Sequence, residues 1–141
     1  MNKFAVKFAP YVYAIMRIVI GLMFAVHGCQ KLFGFPPSPK PMPWNTLIAS
    51  AGSIELGCGL LIGVGFLAGY AAFLASGQMA VAFFMAHCPH NFDSLVQFLP
   101  LMNGGELAVV YCFVFLFIAA QGSGVWSVDA CLGITSTKPA S

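Results

Sequence analysis

Ionisable side chains interrupt the most apolar stretches of this sequence, and each of them must find a partner or a function there. Glu55 stands within one apolar stretch, and His27 and Lys31 stand four residues apart in an earlier one. A charged group alone in hydrocarbon is costly, so such residues mark pairs or functional sites in membrane proteins. Carboxylate, imidazole and ammonium groups can exchange protons with a bound molecule. The residues therefore predict a polar site inside an otherwise apolar protein.

The composition indicates the medium in which that site lies. Of the 141 residues, 60% are hydrophobic and only 7% are charged, whereas a soluble domain carries about 25% charged residues. The lipid bilayer is therefore expected to be the main solvent. A net charge of +2 without a basic patch excludes nucleic acid as the expected partner. The length favours a single domain over residues 1–141.

Apolar runs predict the elements that hold the polar residues. A helix needs about 20 apolar residues to cross the hydrocarbon core, and the sequence offers spans over residues 11–33, 47–67, 69–87 and 105–121. Glycines at Gly63, Gly65 and Gly69 predict the reversal between the second and third spans. We therefore predict an all-α fold, an integral membrane four-helix up-and-down bundle. A small excess of lysine on the side of both termini predicts that the termini are cytoplasmic.

Capping signals predict where two of these helices begin. Asn45 is a suitable N-cap for the second helix. The spacing from Asn103 to Glu106 is that of a capping box at the start of the fourth.

Helix geometry predicts which polar residues lie at the same depth. A rise of about 1.5 Å per residue places His27 level with Glu55, with Lys31 nearer the outer surface beside Glu106. Small residues at Gly59 and Gly63 predict close approach of another helix. The prediction is an outer cluster of His27, Lys31, Glu55, His87 and Glu106, and an inner pair of Arg17 with Asp129. Alternatively, Arg17 extends to the cytoplasmic headgroups.

Structural interpretations compete with each of these functional ones. Lys31 is also typical of a lysine that reaches the interface, and Glu106 of a helix cap. His27 and His87 are also typical of histidines that donate to carbonyls. Two histidines could ligate haem, but the first and third helices lie diagonally in an up-and-down bundle, so haem is not expected.

A metal site near the end of the third span has weak support. His87, Cys88 and His90 are close in sequence, but no fourth ligand has suitable spacing, so no metal is expected.

Four motifs together resemble the DoxX family of membrane proteins. They are RIVIGLMFAVHGCQKLFG (residues 17–34), IELGCG (54–59), MNGGELA (102–108) and GVWSVDA (124–130). The resemblance implies a four-helix inner-membrane protein, and some members of that family are membrane subunits of quinone-linked oxidoreductases acting on sulfur compounds, or partners in complexes that respond to oxidative stress. It also implies that the patterned polar positions are Arg17, Gly28, Lys31, Glu55, Asn103, Glu106 and Asp129.

Two main functional hypotheses follow. The first is a small subunit of a redox-linked complex, in which Glu55, His27 and Lys31 face a quinone in an apolar cleft; no intrinsic redox centre is visible in the sequence, so electrons would come from a partner membrane protein. The second is an accessory or assembly subunit without catalysis, whose polar residues are internal clamps. A transporter would require a homo-oligomer, because one bundle without repeats is small for alternating access. Whether the protein is an enzyme is left open.

Overall fold

The computed structural model describes residues 3–38, 43–88 and 95–134, with side chains from residue 6 onward. The described chain is helical and contains no strand, which confirms the all-α prediction. The helices are α1 (Lys3–Phe33), α2 (Thr46–Val64), α3 (Ala68–Ala82), α4 (Pro100–Asn103), α5 (Glu106–Gln121) and α6 (Val128–Cys131). A π-helical turn (Phe83–His87) continues α3, and a 3₁₀ turn (Leu95–Phe98) precedes α4.

Three of the described helical segments are long and apolar enough to cross a bilayer. They cover Val6–Phe33, Thr46–Val64 and Ala68–His87, the last including the π turn. The fourth, α5, is apolar but has 16 residues, which is just under the usual transmembrane range of about 17–25 residues. Each predicted span overlaps one of these segments. The chain is thus a membrane helical bundle.

The turn between α2 and α3 forms where glycine permits it. Asn45 caps the start of α2, since its side-chain oxygen accepts from the Ile48 amide at 2.8 Å, as predicted. Gly65 ends α2 with φ 74°, a left-handed conformation that suits glycine. Gly63 and Gly69 lie within the helices on either side, so the reversal itself takes place over residues 65–67.

Glycines allow α1 and α2 to pack with their backbones in contact. A Cβ added to Gly21 would lie 2.5 Å from the Gly63 nitrogen, and one added to Gly59 would lie 2.5 Å from the Ala25 nitrogen. A Cβ on Gly28 would similarly collide with Leu56. Close approach through small residues is how transmembrane helices gain van der Waals contact. The predicted small-residue interface is confirmed.

Aromatic side chains fill the centre and close the bundle. The Phe24 ring of α1 lies 4.6 Å from that of Phe115 on α5, and 5.6 Å from that of Tyr111, centroid to centroid. Because α2 also packs on α1 and α3, and α3 on α5, the four long helices form a ring. Large apolar side chains such as Tyr70 and Phe73 remain exposed on its outside. That surface contacts the acyl chains of the bilayer.

The predicted capping box at the start of the fourth span is wrong. Asn103 ends the short helix α4, and Gly104 follows it in a left-handed conformation with φ 73°. The Asn103 side-chain oxygen accepts from the Gly105 amide at 2.8 Å, and Gly105 occupies the N-cap of α5 without a side-chain cap. A tight glycine turn therefore replaces the extended N-cap that a capping box needs.

Candidate functional site

A polar network joins three helices in the half of the bundle that holds the C-terminal end of α1. Lys31, in the last turn of α1, forms an ion pair with Glu55 Oε1 of α2. Gln78 of α3 donates from Nε2 to the same oxygen at 3.1 Å and to the Ala51 carbonyl at 3.3 Å. The Glu55 side chain is 1% exposed and that of Lys31 is 22% exposed. The buried carboxylate is therefore charge-compensated, as residues at that depth require.

An apolar groove between α2 and α3 borders this network. It has a volume of about 580 Å³, and Lys31 and Gln78 form part of its wall. Glu55 lies behind them and does not line the groove. The apolar wall includes Leu47, Ile54, Phe73, Leu74, Val81 and Met85. The groove thus offers an apolar channel with an ammonium and an amide at its polar edge, which is the usual composition of a small-molecule site.

His27 lies on the side of α1 that faces α5. Its ring meets the Tyr111 ring edge-on, with centroids 6.2 Å apart and planes at 88°. Tyr111 is buried, and its hydroxyl has no hydrogen-bond partner among the described residues. His27 does not line the α2–α3 groove. His27 thus lies on the α5 side of α1, apart from the Lys31–Glu55–Gln78 network.

His87 and Asn103 form a separate group near the start of α5. His87, on the π turn, lies 3.2 Å from the Asn103 carbonyl through Nδ1, and its ring stacks on Phe83 with centroids 6.4 Å apart. Asn103 also donates to the carbonyls of Gln97 and Phe98, at 3.3 and 3.4 Å. This arrangement agrees with the interpretation of His87 as a histidine bonded to a carbonyl. It holds the connection before α5 against the end of α3.

Glu106 does not join Lys31, so that predicted pairing is wrong. Glu106 is exposed in the first turn of α5, while Lys31 turns to Glu55. The prediction compared depth along the bundle axis, which the helical rise determines, but not the rotation of each helix, which places Glu55 and not Glu106 opposite Lys31. The predicted outer cluster therefore separates into the Lys31–Glu55–Gln78 network, His27 with Tyr111, His87 with Asn103, and an exposed Glu106.

The described residues contain no group of three histidine, cysteine or acidic side chains placed to hold a metal ion. His90, which the sequence analysis considered with His87 and Cys88, lies outside the described residues.

At the other end of the bundle, Arg17 and Asp129 are both buried but do not pair directly, contrary to the predicted pair. Arg17 donates to the carbonyls of Ile62 at 2.5 Å and Gly63 at 2.9 Å, and to that of Trp126 at 2.8 Å. The Ile62 and Gly63 carbonyls lie in the last turn of α2, where the helix ends before it supplies their usual amide partners; the Ile62 carbonyl also accepts from the Gly65 amide at 3.2 Å.

Asp129 links the segment after α5 to the α2–α3 turn through hydrogen bonds. Its carboxylate accepts from the Leu67 amide at 3.1 Å and from the Ser123 hydroxyl, and its own amide donates to the Gly65 carbonyl at 3.1 Å. Tyr13 adds a hydrogen bond to the Gly122 carbonyl at 2.5 Å. Arg17 and Asp129 thus act on the same turn from two sides, which makes this end a structural clamp.

Sequence reasoning missed Gln78 and Tyr111. Both are polar side chains within apolar helices, so a search for buried amides and hydroxyls, as well as for charges, would have found them. The contact of Gln78 with Glu55 depends on how α3 packs beside α2.

Comparison with known proteins agrees with the fold. The DoxX family model matches residues 12–88, which include most of α1, all of α2 and α3, and the Lys31–Glu55–Gln78 network. The chain belongs to the DoxX family. A relative from Haemophilus influenzae, described as an uncharacterized protein, is 35% identical over 126 residues, which is 87% of this chain and 92% of that protein. No solved structure matches. The chain is thus a DoxX membrane protein whose family match includes the groove and its polar edge.

Proposed function

We propose that this DoxX protein is a small subunit of a redox-linked complex in the inner membrane, and that its α2–α3 groove binds a quinone. The observation that carries the proposal is the position of Lys31, an ammonium at the wall of a groove of about 580 Å³ whose other lining is mostly apolar. A quinone has the matching parts, an apolar tail and ring carbonyls that accept hydrogen bonds. The tail lies along the apolar wall and a carbonyl accepts from Lys31.

Glu55 supports this role from behind the groove. It holds Lys31 through Oε1, while its other carboxylate oxygen, Oε2, is buried and has no hydrogen-bond partner among the described residues. The Lys31 ammonium, which lies at the groove wall, can exchange a proton with a ligand whose reduction requires one. Electrons reach the quinone from a partner membrane protein.

Titration of the purified protein with a short-chain quinone tests this function. Lys31→Met should weaken binding by about tenfold to a hundredfold, because a hydrogen bond to a charged group contributes about 1.5–3 kcal/mol. Lys7→Met is the matched control, since Lys7 is an exposed lysine of the same helix. Equal quinone affinity in the wild type and in Lys31→Met would reject the groove as the quinone site.

The orientation belongs to the same proposal. With both termini cytoplasmic, the Lys31 end of the groove lies toward the outer face of the inner membrane. Reporter fusions after residue 141 and within the loop between α1 and α2 should give opposite sidedness. A cytoplasmic signal from the loop fusion would reverse the orientation.

A non-catalytic assembly subunit is the second candidate, and the Arg17–Asp129 clamp favours it. Both side chains form hydrogen bonds with backbone groups, and these bonds hold the segment after α5 in place. Under this interpretation, substitutions in the Lys31–Glu55 network lower complex assembly only in proportion to the loss of thermal stability. Loss of quinone binding at unchanged stability would favour the first candidate.

A further inference from the structure

The Lys31–Glu55 pair determines which charge the α2–α3 groove accepts. Lys31 is the charged residue in the described lining of the groove, and Glu55 contacts it directly from behind. Together the two side chains carry no net charge. Gln78, which also lines the groove, is neutral and already donates to Glu55 and to the Ala51 carbonyl.

A compensated ammonium selects its ligand differently from a free one. Lysine has three N–H donors, and in the ion pair Lys31 Nζ donates to one carboxylate oxygen, Glu55 Oε1. The remaining donors can serve a carbonyl. An anionic headgroup would place a second negative charge beside the buried carboxylate, and like charges repel strongly where water is scarce. A cationic headgroup would meet Lys31 first, since Glu55 is 1% exposed.

We infer that Glu55 is a headgroup-selecting residue, which by neutralising Lys31 makes the α2–α3 groove a site for uncharged carbonyl headgroups and excludes anionic amphiphiles. This inference rests on the proposed use of the groove and adds the chemical class of the headgroup. Glu55 acts through Lys31 and does not itself touch the ligand. Removing its charge while keeping its shape should turn the same groove into a site for carboxylates.

The test compares amphiphiles of similar chain length on the wild type and on Glu55→Gln. The neutral probe is 2-tridecanone, the anion is dodecanoate at mildly alkaline pH, and the cation is dodecyltrimethylammonium, each corrected for partitioning into detergent. We expect the wild type to bind the ketone about tenfold or more tightly than either ion, and Glu55→Gln to gain about tenfold or more for dodecanoate. The ketone affinity should change much less.

Glu106→Gln is the control variant. It makes the same chemical change on an exposed carboxylate and should leave all affinities unchanged. If Glu55→Gln does not fold, the three-probe ranking of the wild type still decides, because dodecanoate binding as tight as ketone binding would overturn the inference. An unchanged dodecanoate affinity in folded Glu55→Gln would also overturn it.

Failure of the inference and failure of the quinone proposal give different results. If the ketone is preferred but no quinone binds, headgroup selection stands and the quinone function is rejected. If quinone binds while dodecanoate binds equally well, the quinone function stands and headgroup selection is rejected. Both are rejected if the wild type binds none of these molecules.

Discussion

Lys31 on α1 and Glu55 on α2 form an ion pair in which the carboxylate is 1% exposed and the lysine side chain is 22% exposed. The lysine is thus the member that faces the groove, and the glutamate is the member that the bundle encloses. Gln78 on α3 donates to the same carboxylate oxygen, at 3.1 Å. The buried Glu55 carboxylate therefore joins three transmembrane helices. Its contribution to the stability of the bundle can be measured in the absence of any ligand.

Lys31→Met should lower the free energy of unfolding, because it leaves Glu55 buried without its cation. We expect a loss of about 1–3 kcal/mol, below the value of about 3–5 kcal/mol for fully buried pairs, since Lys31 keeps some exposure. Adding Glu55→Leu should recover most of that loss, as an apolar pair suits the interior. Unfolding in detergent, followed by circular dichroism, measures both. If the double variant is as unstable as Lys31→Met, the uncompensated carboxylate is not the cause.

Gly59→Ala should destabilise the bundle through the α1–α2 contact. Its Cβ would lie 2.5 Å from the Ala25 nitrogen, and overpacking of this kind costs about 1–3 kcal/mol. Gly57→Ala is the control on the same helix, because a Cβ there has no neighbour within 4 Å. Thermal unfolding in mild detergent should show a lower midpoint for Gly59→Ala and an equal or higher one for Gly57→Ala. Equal midpoints would contradict the packing.

Asp129→Ala should loosen the segment after α5. The Leu67 amide and the Ser123 hydroxyl lose their acceptor, and an unsatisfied buried group costs about 1–3 kcal/mol. Glu106→Ala removes an exposed carboxylate and should stay within about 0.5 kcal/mol of the wild type. Limited proteolysis of the C-terminal segment, together with thermal unfolding, measures the difference. Equal protease resistance in the two variants would argue against the clamp.

Gly65→Ala should cost more than Gly34→Ala, although both glycines have positive φ, at 74° and 67°. Left-handed backbone costs an L-residue about 1–2 kcal/mol, and this term is common to both variants. At Gly65 the new Cβ would also lie 2.8 Å from Arg17 Nη1 and 2.9 Å from the Ser127 Cα, whereas a Cβ at Gly34 would have no neighbour within 4 Å. Chemical denaturation gives the free energy of unfolding of each variant. An equal loss of stability in the two would show that the side chains around Gly65 move to accommodate the new Cβ.

The sequence by itself determined the class of the fold and much of its local structure. Runs of apolar residues require a lipid solvent, because water cannot solvate so much hydrocarbon without a large cost. Asn45 and Gly65 mark helix ends through local hydrogen bonding and backbone freedom, which neighbouring residues settle. Gly59 and Gly63 indicated a close helix contact for the same local reason, the absence of a side chain.

Only the tertiary structure decided which polar groups meet. Depth along a helix follows from a fixed rise per residue, so Lys31, Glu55 and Glu106 could be ordered by level from sequence alone. Their partners depend on how each helix is rotated about its own axis, and that rotation is set by packing at contacts such as Gly21 against Gly63. Lys31 therefore reaches Glu55, and Arg17 reaches carbonyls that no side-chain pattern could reveal.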